Sequence, residues 1–455
     1  MTQHTLSHPR GVIFLSLVQM WESFSFFGMR ALLVLYLISQ LGFSAAQAFL
    51  LYTLYVAFVK VFAALGGYVA DRFLGYKRAV LLGGVSIALG HILLTFSSIS
   101  FLFYLGLGSI VCGSALFRVS LQAILGLLYE KGDSRREKGF TLLYVGMNLG
   151  GLLAAVLCGF VAHLYGWHVG FGLAAFGMVV SMVLFSCKIK TVLVSDIAKK
   201  APLVISLLAC ICACAGVGTL LSYFQIVHSF ALPLGILSLV LLLIKLGKSM
   251  TKQLLAALAA AFFLLISYFT AEELWGSLLM VFSEMHIART VFGIEIPSAV
   301  IAAINPLTII LVGPFLGKFR SSLLVRLSLA FLCLSAAFFI LYVASILSSP
   351  SILYLVFGLG SIALGELFIA PSVMSFASKA APKERSGMMM GATTLAFSMG
   401  SLLSGEVTKI SVNTSTIFLG IGSTALGIFL VLLSGSVMKA FRKIEWKRTL
   451  QSVSE

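Results

Sequence analysis

The chain has 455 residues, of which 60% are hydrophobic and 10% charged, with a mean hydropathy of +1.09. No water-soluble enzyme of this length carries that balance, whereas a polytopic α-helical membrane protein does, because each crossing needs about 20 mainly apolar residues. The net charge of +16 does not build a nucleic-acid surface, since the basic residues fall in short clusters between apolar segments.

After the polar start MTQHTLSHPR come fourteen apolar segments, at approximately 12–41, 47–70, 79–98, 101–129, 140–163, 168–187, 202–222, 230–247, 253–283, 298–317, 321–348, 351–378, 386–408 and 414–438. The first is far longer than a secretory hydrophobic region and has no small-residue cleavage site behind it, so it is expected to remain as a helix. Within it, QMWESFSFFGMR places Gln19, Glu22, Ser23, Phe26, Phe27 and Arg30 at i, i+3, i+4, i+7, i+8 and i+11, a single helical stripe. A carboxylate and a guanidinium in a hydrocarbon-length helix are tolerated where they face a bundle interior or a wet cavity. The stripe therefore marks a lined cavity.

The loop charges predict the topology. With both termini in the cytoplasm, one side holds Arg72, Lys77 and Arg78, then Lys131, Arg135, Arg136 and Lys138, then Lys188, Lys190, Lys199 and Lys200, then Lys245, Lys248 and Lys252. The same side receives Lys318, Arg320 and Arg326, then Lys379, Lys383 and Arg385, and the C-terminal Lys439, Arg442, Lys443, Lys447 and Arg448. The other side receives Arg289 and Lys409, so the positive-inside rule sets the orientation in a cell (inner or plasma) membrane. Segments one to six and nine to fourteen form two six-span halves, at 1–190 and 253–455. The seventh and eighth, in 191–252, are an inserted pair whose one charge is the terminal Lys245. A faint echo between GGYVADRFLGYKR and GPFLGKFRSSLLVR fits two repeats rocking about a midplane site.

Away from the loops, the charges inside the spans are few: Glu22, Arg30, Lys60, Arg118, Glu272, Glu273 and Glu366. Any one alone reads equally well as a structural ion pair or a snorkelling lysine. Spread as four acids and three bases over both halves, they favour a solute or ion pathway. Asn148 and Asn305, amides midway along spans five and ten, suit either a helix contact or a ligand. His91 reads as a hydrogen-bonded packing histidine. The seven cysteines, Cys210, Cys212 and Cys214 among them, show no metal-ligand spacing and read as packing residues; neither metal nor cofactor is expected. The serine, histidine and acid candidates do not converge as in an enzyme.

At these residues the chain resembles the proton-dependent oligopeptide transporters of the major facilitator superfamily. QMWESFSFFG aligns with that family's first-helix pattern E-x-x-E-R-F-x-Y-Y-G, GGYVADRFLG with its loop after helix two, and YEKGDSRREKGFTLLYVGMNLG with GWHVGFGLAAFGM spans its signature over helices four to six. FTAEELWGS, INPLTIILVGP and GELFIAPSVMSFASKAAP with MMMG match its helices seven, eight, ten and eleven. The resemblance implies an all-α major facilitator fold of two six-helix bundles plus an inserted central pair, fourteen transmembrane helices in all. It also implies a monomer in the lipid bilayer whose partners are a small zwitterionic solute, a peptide, and protons.

By the same resemblance, Glu366 and Asn305 stand where a peptide's amino terminus is received, and Asn148 and Arg30 where its backbone and carboxylate are. Glu272 and Glu273 stand at an acidic pair, one member of which faces a basic residue of helix four, here Arg118. The departures are Gln19 and Ser23 for the first Glu and the Arg, Phe26 and Phe27 for two Tyr, and Lys60 for a Tyr. Ala392, Thr393 and Thr394 stand where a Trp is usual. Losing an Arg beside Glu22 and gaining Lys60 suggests a Glu22–Lys60 pair. The expected activity is import of di- or tripeptides, or a related zwitterion, by alternating access coupled to protons. Glu366 would take the amine and Arg30, with Lys60 or Arg118, the carboxylate. Glu22, Glu272 and Glu273 are the proton-coupling and gating candidates, because a guanidinium such as Arg118 keeps its charge. The alternatives are the same scaffold with another solute or without coupling, and a non-transporting membrane receptor.

Overall fold

A backbone in hydrocarbon must satisfy its own hydrogen bonds, and this chain does so with helices almost throughout. A computed structural model of the chain describes residues 8–9, 11–96, 100–130, 133, 135–189, 201–316, 321–381, 385–409 and 413–434. Lys131, Lys190, Lys199, Lys200, Lys318, Arg320, Lys383 and the C-terminal Lys439, Arg442, Lys443, Lys447 and Arg448 lie outside them. Among the described residues, thirteen helices are long and apolar enough to cross a membrane.

Two compact units divide the chain. The first, Met1–Gly42 with Phe58–Phe224, contains α1 (Val12–Ser39), the second part of α2 (Ala45–Val69) with a π-helical turn at Ala70–Leu74, and α3 (Tyr76–Thr95). It continues with α4 (Ser100–Leu127), α5 (Arg135–Tyr165), α6 (Trp167–Lys188) and α7 (Leu203–Ser222). In this unit α1 packs on α5 and α6, α3 on α4 and α6, and α7 on α4. Close approach depends on small residues on α5: a Cβ at Gly146 would come within 2.6 Å of the Ser16 carbonyl oxygen, and one at Gly150 would overlap that of Met20. Ser181 of α6 donates to the Val18 carbonyl at 2.8 Å, so the polar stripe of α1 is held from two sides. At the start of α5, Asp133 accepts the Arg135 amide at 2.9 Å and its guanidinium at 2.7 Å, and these bonds hold the Asp133 carboxyl below the usual range.

The second unit, Phe43–Ala57 with Gln225–Glu455, contains the start of α2 and most of α8 (Phe224–Gly247). Next come α9 (Lys252–Glu272), a 3-10 turn at Glu273–Gly276, α10 (Leu278–His286) and a hairpin of β1 (Thr290–Val291) with β2 (Ile294–Glu295). A 3-10 turn at Ser298–Ala303 then leads into α11 (Ile304–Leu316), followed by α12 (Leu323–Ile346), α13 (Leu353–Ala380), α14 (Ser386–Lys409) and α15 (Thr414–Leu433). In this unit α12 packs on α13 and α15, α13 on α9 and α11, and α14 on α9.

Three features depart from the sequence expectation. The ninth span is not one helix: it breaks at Glu273 into the 3-10 turn and α10, with Ser277 at φ −128° and ψ −92°. The thirteenth span exists as α14 but is too polar to qualify by hydropathy. Three of its hydroxyls are returned to the helix, Thr393 to Met389, Thr394 to Met390 and Ser398 to Thr394. Finally, the inserted pair does not stand apart from both units, because α7 belongs to the first and nearly all of α8 to the second.

The α1–α5 approach is testable. Gly150→Val is expected to lower the stability of the purified protein by about 1–3 kcal/mol, the usual range for overpacking. Gly172→Ala, where a Cβ would have nothing within 4 Å, is expected to leave the thermal midpoint nearly unchanged. Equal midpoints for the two variants would contradict the close approach.

Candidate functional site

In the first unit the chemistry collects around Glu22, whose side chain is 0% exposed. An ionised carboxylate buried to that degree needs donors on both oxygens. It has them: Arg118 of α4 donates Nε to Oε1 at 2.8 Å, Gln19 donates Nε2 to Oε2 at 2.7 Å, and Ser23 lies 3.4 Å from Oε2. Gln19 Nε2 also donates to Ser23 Oγ at 3.0 Å. The Arg118 guanidinium lies 4.0 Å from the Phe26 ring centroid, a cation–π contact that covers one face of the charge. Two polar atoms of this cluster, Gln19 Oε1 and Arg118 Nη2, are buried with no hydrogen-bond partner among the described residues.

The cation that reaches Glu22 is thus Arg118, and the Glu22–Lys60 pair is not formed. The reason is geometric. The stripe of α1 faces α4 at this depth, and Nε of a guanidinium approaches a carboxylate edge-on while Phe26 supports its flat face. Arg30 is buried two turns further along α1 and Lys60 is half-buried on α2. Asn148 is buried on α5 and donates Nδ2 back to its own Tyr144 carbonyl at 2.9 Å. His91 is fully buried, but neither ring nitrogen has a hydrogen-bond partner among the described residues, so it packs without the bond expected of it.

In the second unit Asn305 Nδ2 donates to Glu366 Oε2 at 2.8 Å, joining α11 to α13. Asn305 is the second residue of α11, directly after the 3-10 turn, so the change of helical pitch sets its direction. Tyr268 of α9 donates its hydroxyl to the Ile362 carbonyl, one turn before Glu366. Glu272 and Glu273 are both buried at the break between α9 and α10, and Glu273 accepts from Ser401 of α14 at 3.2 Å. Beside that break the hydroxyl of Tyr52 occupies the space a Cβ at Gly276 would need.

One polar group escaped the sequence reading. His228, on α8, is fully buried with Nδ1 2.9 Å from Glu406 Oε1 of α14, and Lys409 reaches the same oxygen at 2.7 Å. The inserted pair therefore has a polar anchor. A histidine adds nothing to a formal charge count, so the sequence did not signal the contact. Arg289, assigned to the sparsely charged side, is held at the hairpin by Glu284 at 3.2 Å and Glu295 at 3.3 Å.

A sequence model of the POT family matches residues 77–425. The chain belongs to the POT family. A peptide transporter of Yersinia enterocolitica subsp. palearctica, YePEPT, is 30% identical over 446 residues, covering 88% of this chain and 87% of that one. A di-/tripeptide transporter of Lactococcus lactis subsp. cremoris is 29% identical, covering 95% and 96%. Among solved structures, a POT family transporter in complex with 5-aminolevulinic acid superposes with a TM-score of 0.84 at 25% identity, covering 95% of this chain and 97% of that one. The POT relatives are transporters and not enzymes, and the multi-span helical architecture of this chain is that of a membrane protein with the major facilitator fold.

For this POT chain the weight of the first cluster can be measured. Glu22→Gln and Arg118→Gln are each expected to lower stability by roughly 1–3 kcal/mol, less than for a fully dry pair because the Arg118 side chain is 22% exposed. The double variant should show a coupling of at least about 1 kcal/mol in a thermal-unfolding cycle. Strict additivity would mean the pair contributes nothing.

Proposed function

We propose that the chain imports di- or tripeptides, or a related small zwitterion, by alternating access coupled to protons, across a cell membrane with both termini cytoplasmic. The observation that carries this reading is the partition of charge. The first unit holds a cation with a spare buried donor, Arg118 Nη2, in the unit that also supplies Arg30, Lys60 and Asn148. The second unit holds a carboxylate aimed by an amide, Glu366 with Asn305. A zwitterion offers each centre its complement: its ammonium suits Glu366, and its carboxylate suits the unused face of Arg118 together with Arg30 or Lys60. The peptide substrates named for the Yersinia and Lactococcus relatives support the same solute class.

Glu22 is the proton-coupling acid of this proposal. Arg118 cannot release a proton, so the pair opens when the acid takes one up and stops competing for the guanidinium. An arriving substrate carboxylate then replaces Glu22 as the partner of Arg118, which links one proton to one anionic terminus. Glu272 and Glu273, set where α9 gives way to a 3-10 turn, are proposed as the gating acids, because a helix break is where a change of charge is most easily converted into movement.

A second reading, a smaller zwitterion than a peptide, draws on two observations. Phe26 lies against Arg118 where the family pattern has a tyrosine, which removes a hydroxyl from the cluster. One solved relative carries 5-aminolevulinic acid.

Proteoliposomes loaded at neutral pH are expected to accumulate labelled dialanine faster under an inward acid gradient. Glu366→Gln should reduce that uptake about tenfold or more, equivalent to about 1.4 kcal/mol or more of lost interaction. Uptake indifferent to the gradient would remove the coupling; uptake indifferent to Glu366→Gln would remove the amine site. In a thermal-shift screen of dipeptides, amino acids and organic anions, a true substrate at a hundred times its Kd should stabilise by about 2.7 kcal/mol.

A further inference from the structure

Within the first unit, α7 does not close fully on the bundle. Between it and α2, α3 and α4 runs a cavity of about 390 Å³ whose walls include Phe62, Leu65, Phe73, Ile205, Ala209 and Ala213. The contact that ought to seal it lies further along α7. A Cβ at Gly108 of α4 would come within 2.5 Å of the Gly218 backbone nitrogen, so the two helices touch backbone to backbone there and diverge toward residue 201. The polar atoms in the walls are already used: Ser206 Oγ donates to the Pro202 carbonyl at 3.1 Å and Cys210 Sγ shares a bond of 3.2 Å with Ser86 Oγ. Nothing remains to hold water, a sugar or a peptide. The groove opens outward, since Leu65 is 56% and Ile205 59% exposed.

Its dimensions select the occupant. From Phe62 to Leu74 the wall rises about 18 Å at the α-helical pitch, comparable to the ~15 Å depth of one leaflet. Spread over that length, about 390 Å³ suits an extended alkyl chain better than a helix about 10–12 Å across. At one end, the rim is cationic. Arg72 is exposed in the π-helical turn beside the lining residue Phe73, and Arg78 donates Nη1 to the carbonyl of Ala201, itself a lining residue, at 3.2 Å. The exposed carboxylate of Asp71 offsets one of these charges, and Lys77 follows on the same stretch, so the rim stays positive.

We infer that this groove is a binding site for one phospholipid with an anionic headgroup, an acyl chain lying along α7 and the phosphate meeting Arg78 and Arg72. An apolar slot with a basic mouth at the membrane surface has the chemistry of such a lipid and of no soluble ligand. The lipid completes the packing of α7 that its own side chains leave unfinished.

Native mass spectrometry of the full chain, delipidated in detergent and titrated with phosphatidylglycerol or phosphatidylcholine of identical acyl chains, tests this. The expected result is one saturable phosphatidylglycerol, bound about tenfold more tightly than phosphatidylcholine, a difference of about 1.4 kcal/mol. Arg72→Gln with Arg78→Gln should abolish the preference, and Ala209→Trp should abolish saturable binding of both lipids. Equal affinity for the two lipids in the parent protein, or saturable binding that survives Ala209→Trp, overturns the proposal; so does a dimer peak that Ala209→Trp removes, which would make a second copy the occupant. Photo-crosslinking of the unaltered protein with a diazirine-bearing phosphatidylglycerol needs no variant to fold. Labels concentrated on Leu65, Phe73 and Ile205 support the site, and even labelling that extends over the exposed Ile236, Leu237 and Leu241 of α8 overturns it.

Discussion

The structure of the first unit turns on a single carboxylate that water does not reach. Glu22 is ionisable, fully buried and placed mid-helix in a segment long enough to span hydrocarbon, a position that would be prohibitive without compensation. Compensation comes from one formal charge and two neutral groups, Arg118, Gln19 and Ser23. Two of the three lie on α1 itself at helical spacing. The third lies 96 residues away and ties α4 to α1, so solvating the acid also fixes the relative depth of those helices. The glycines of α5 and the Ser181 bond to α1 then hold the opposite side.

This arrangement also explains the departures from the family's first-helix pattern. Gln19 and Ser23 stand where the pattern has an acid and a base, and removing one of each leaves the net charge of the stripe unchanged. No extra cation is then required to restore a balance, which is why the supposition that Lys60 must make good a lost arginine failed. The two neutral substitutes instead form a closed local network with Glu22, and Arg118 provides the one cation the acid needs. A guanidinium in place of an ammonium has a further consequence. It keeps its charge in every state, so the cluster always presents a cation beside Phe26.

Much of the fold was legible because hydrocarbon imposes a length and a polarity on every crossing. The long helices lie where the apolar segments do, and even α14, the most polar of them, was delimited by its flanking charges. What was not legible depends on tertiary contact. The run from Lys252 to Ser283 is apolar enough to pass for one helix, and it breaks where Gly276 admits the Tyr52 hydroxyl, a residue more than two hundred positions earlier. Which side chains carry charge in the wrong solvent can be read from the sequence, but which groups they meet cannot. Spacing along a helix reveals same-helix neighbours such as Gln19 and Ser23, whereas Arg118 or Asn305 depends on the rotation and depth of a different helix.

The inserted pair shows the same limit and adds a contrast. Read by charge it looked inert, yet its two helices are attached by opposite means. On α8 the contact is polar: buried His228 Nδ1 approaches Glu406 Oε1 to 2.9 Å, and the Lys245 carbonyl accepts from Arg385 at the other end. On α7 it is steric, a backbone-to-backbone contact at Gly108 and Gly218 that leaves an apolar groove beyond it. A polar contact between membrane helices is directional and adds roughly 0.6–2 kcal/mol to their association. A steric contact has no such advantage, since lipid tails are as apolar as the side chains they compete with. For α7 to stay in register, either the glycine contact must suffice or the groove must be occupied by something that belongs to the bilayer, and the basic rim favours the second.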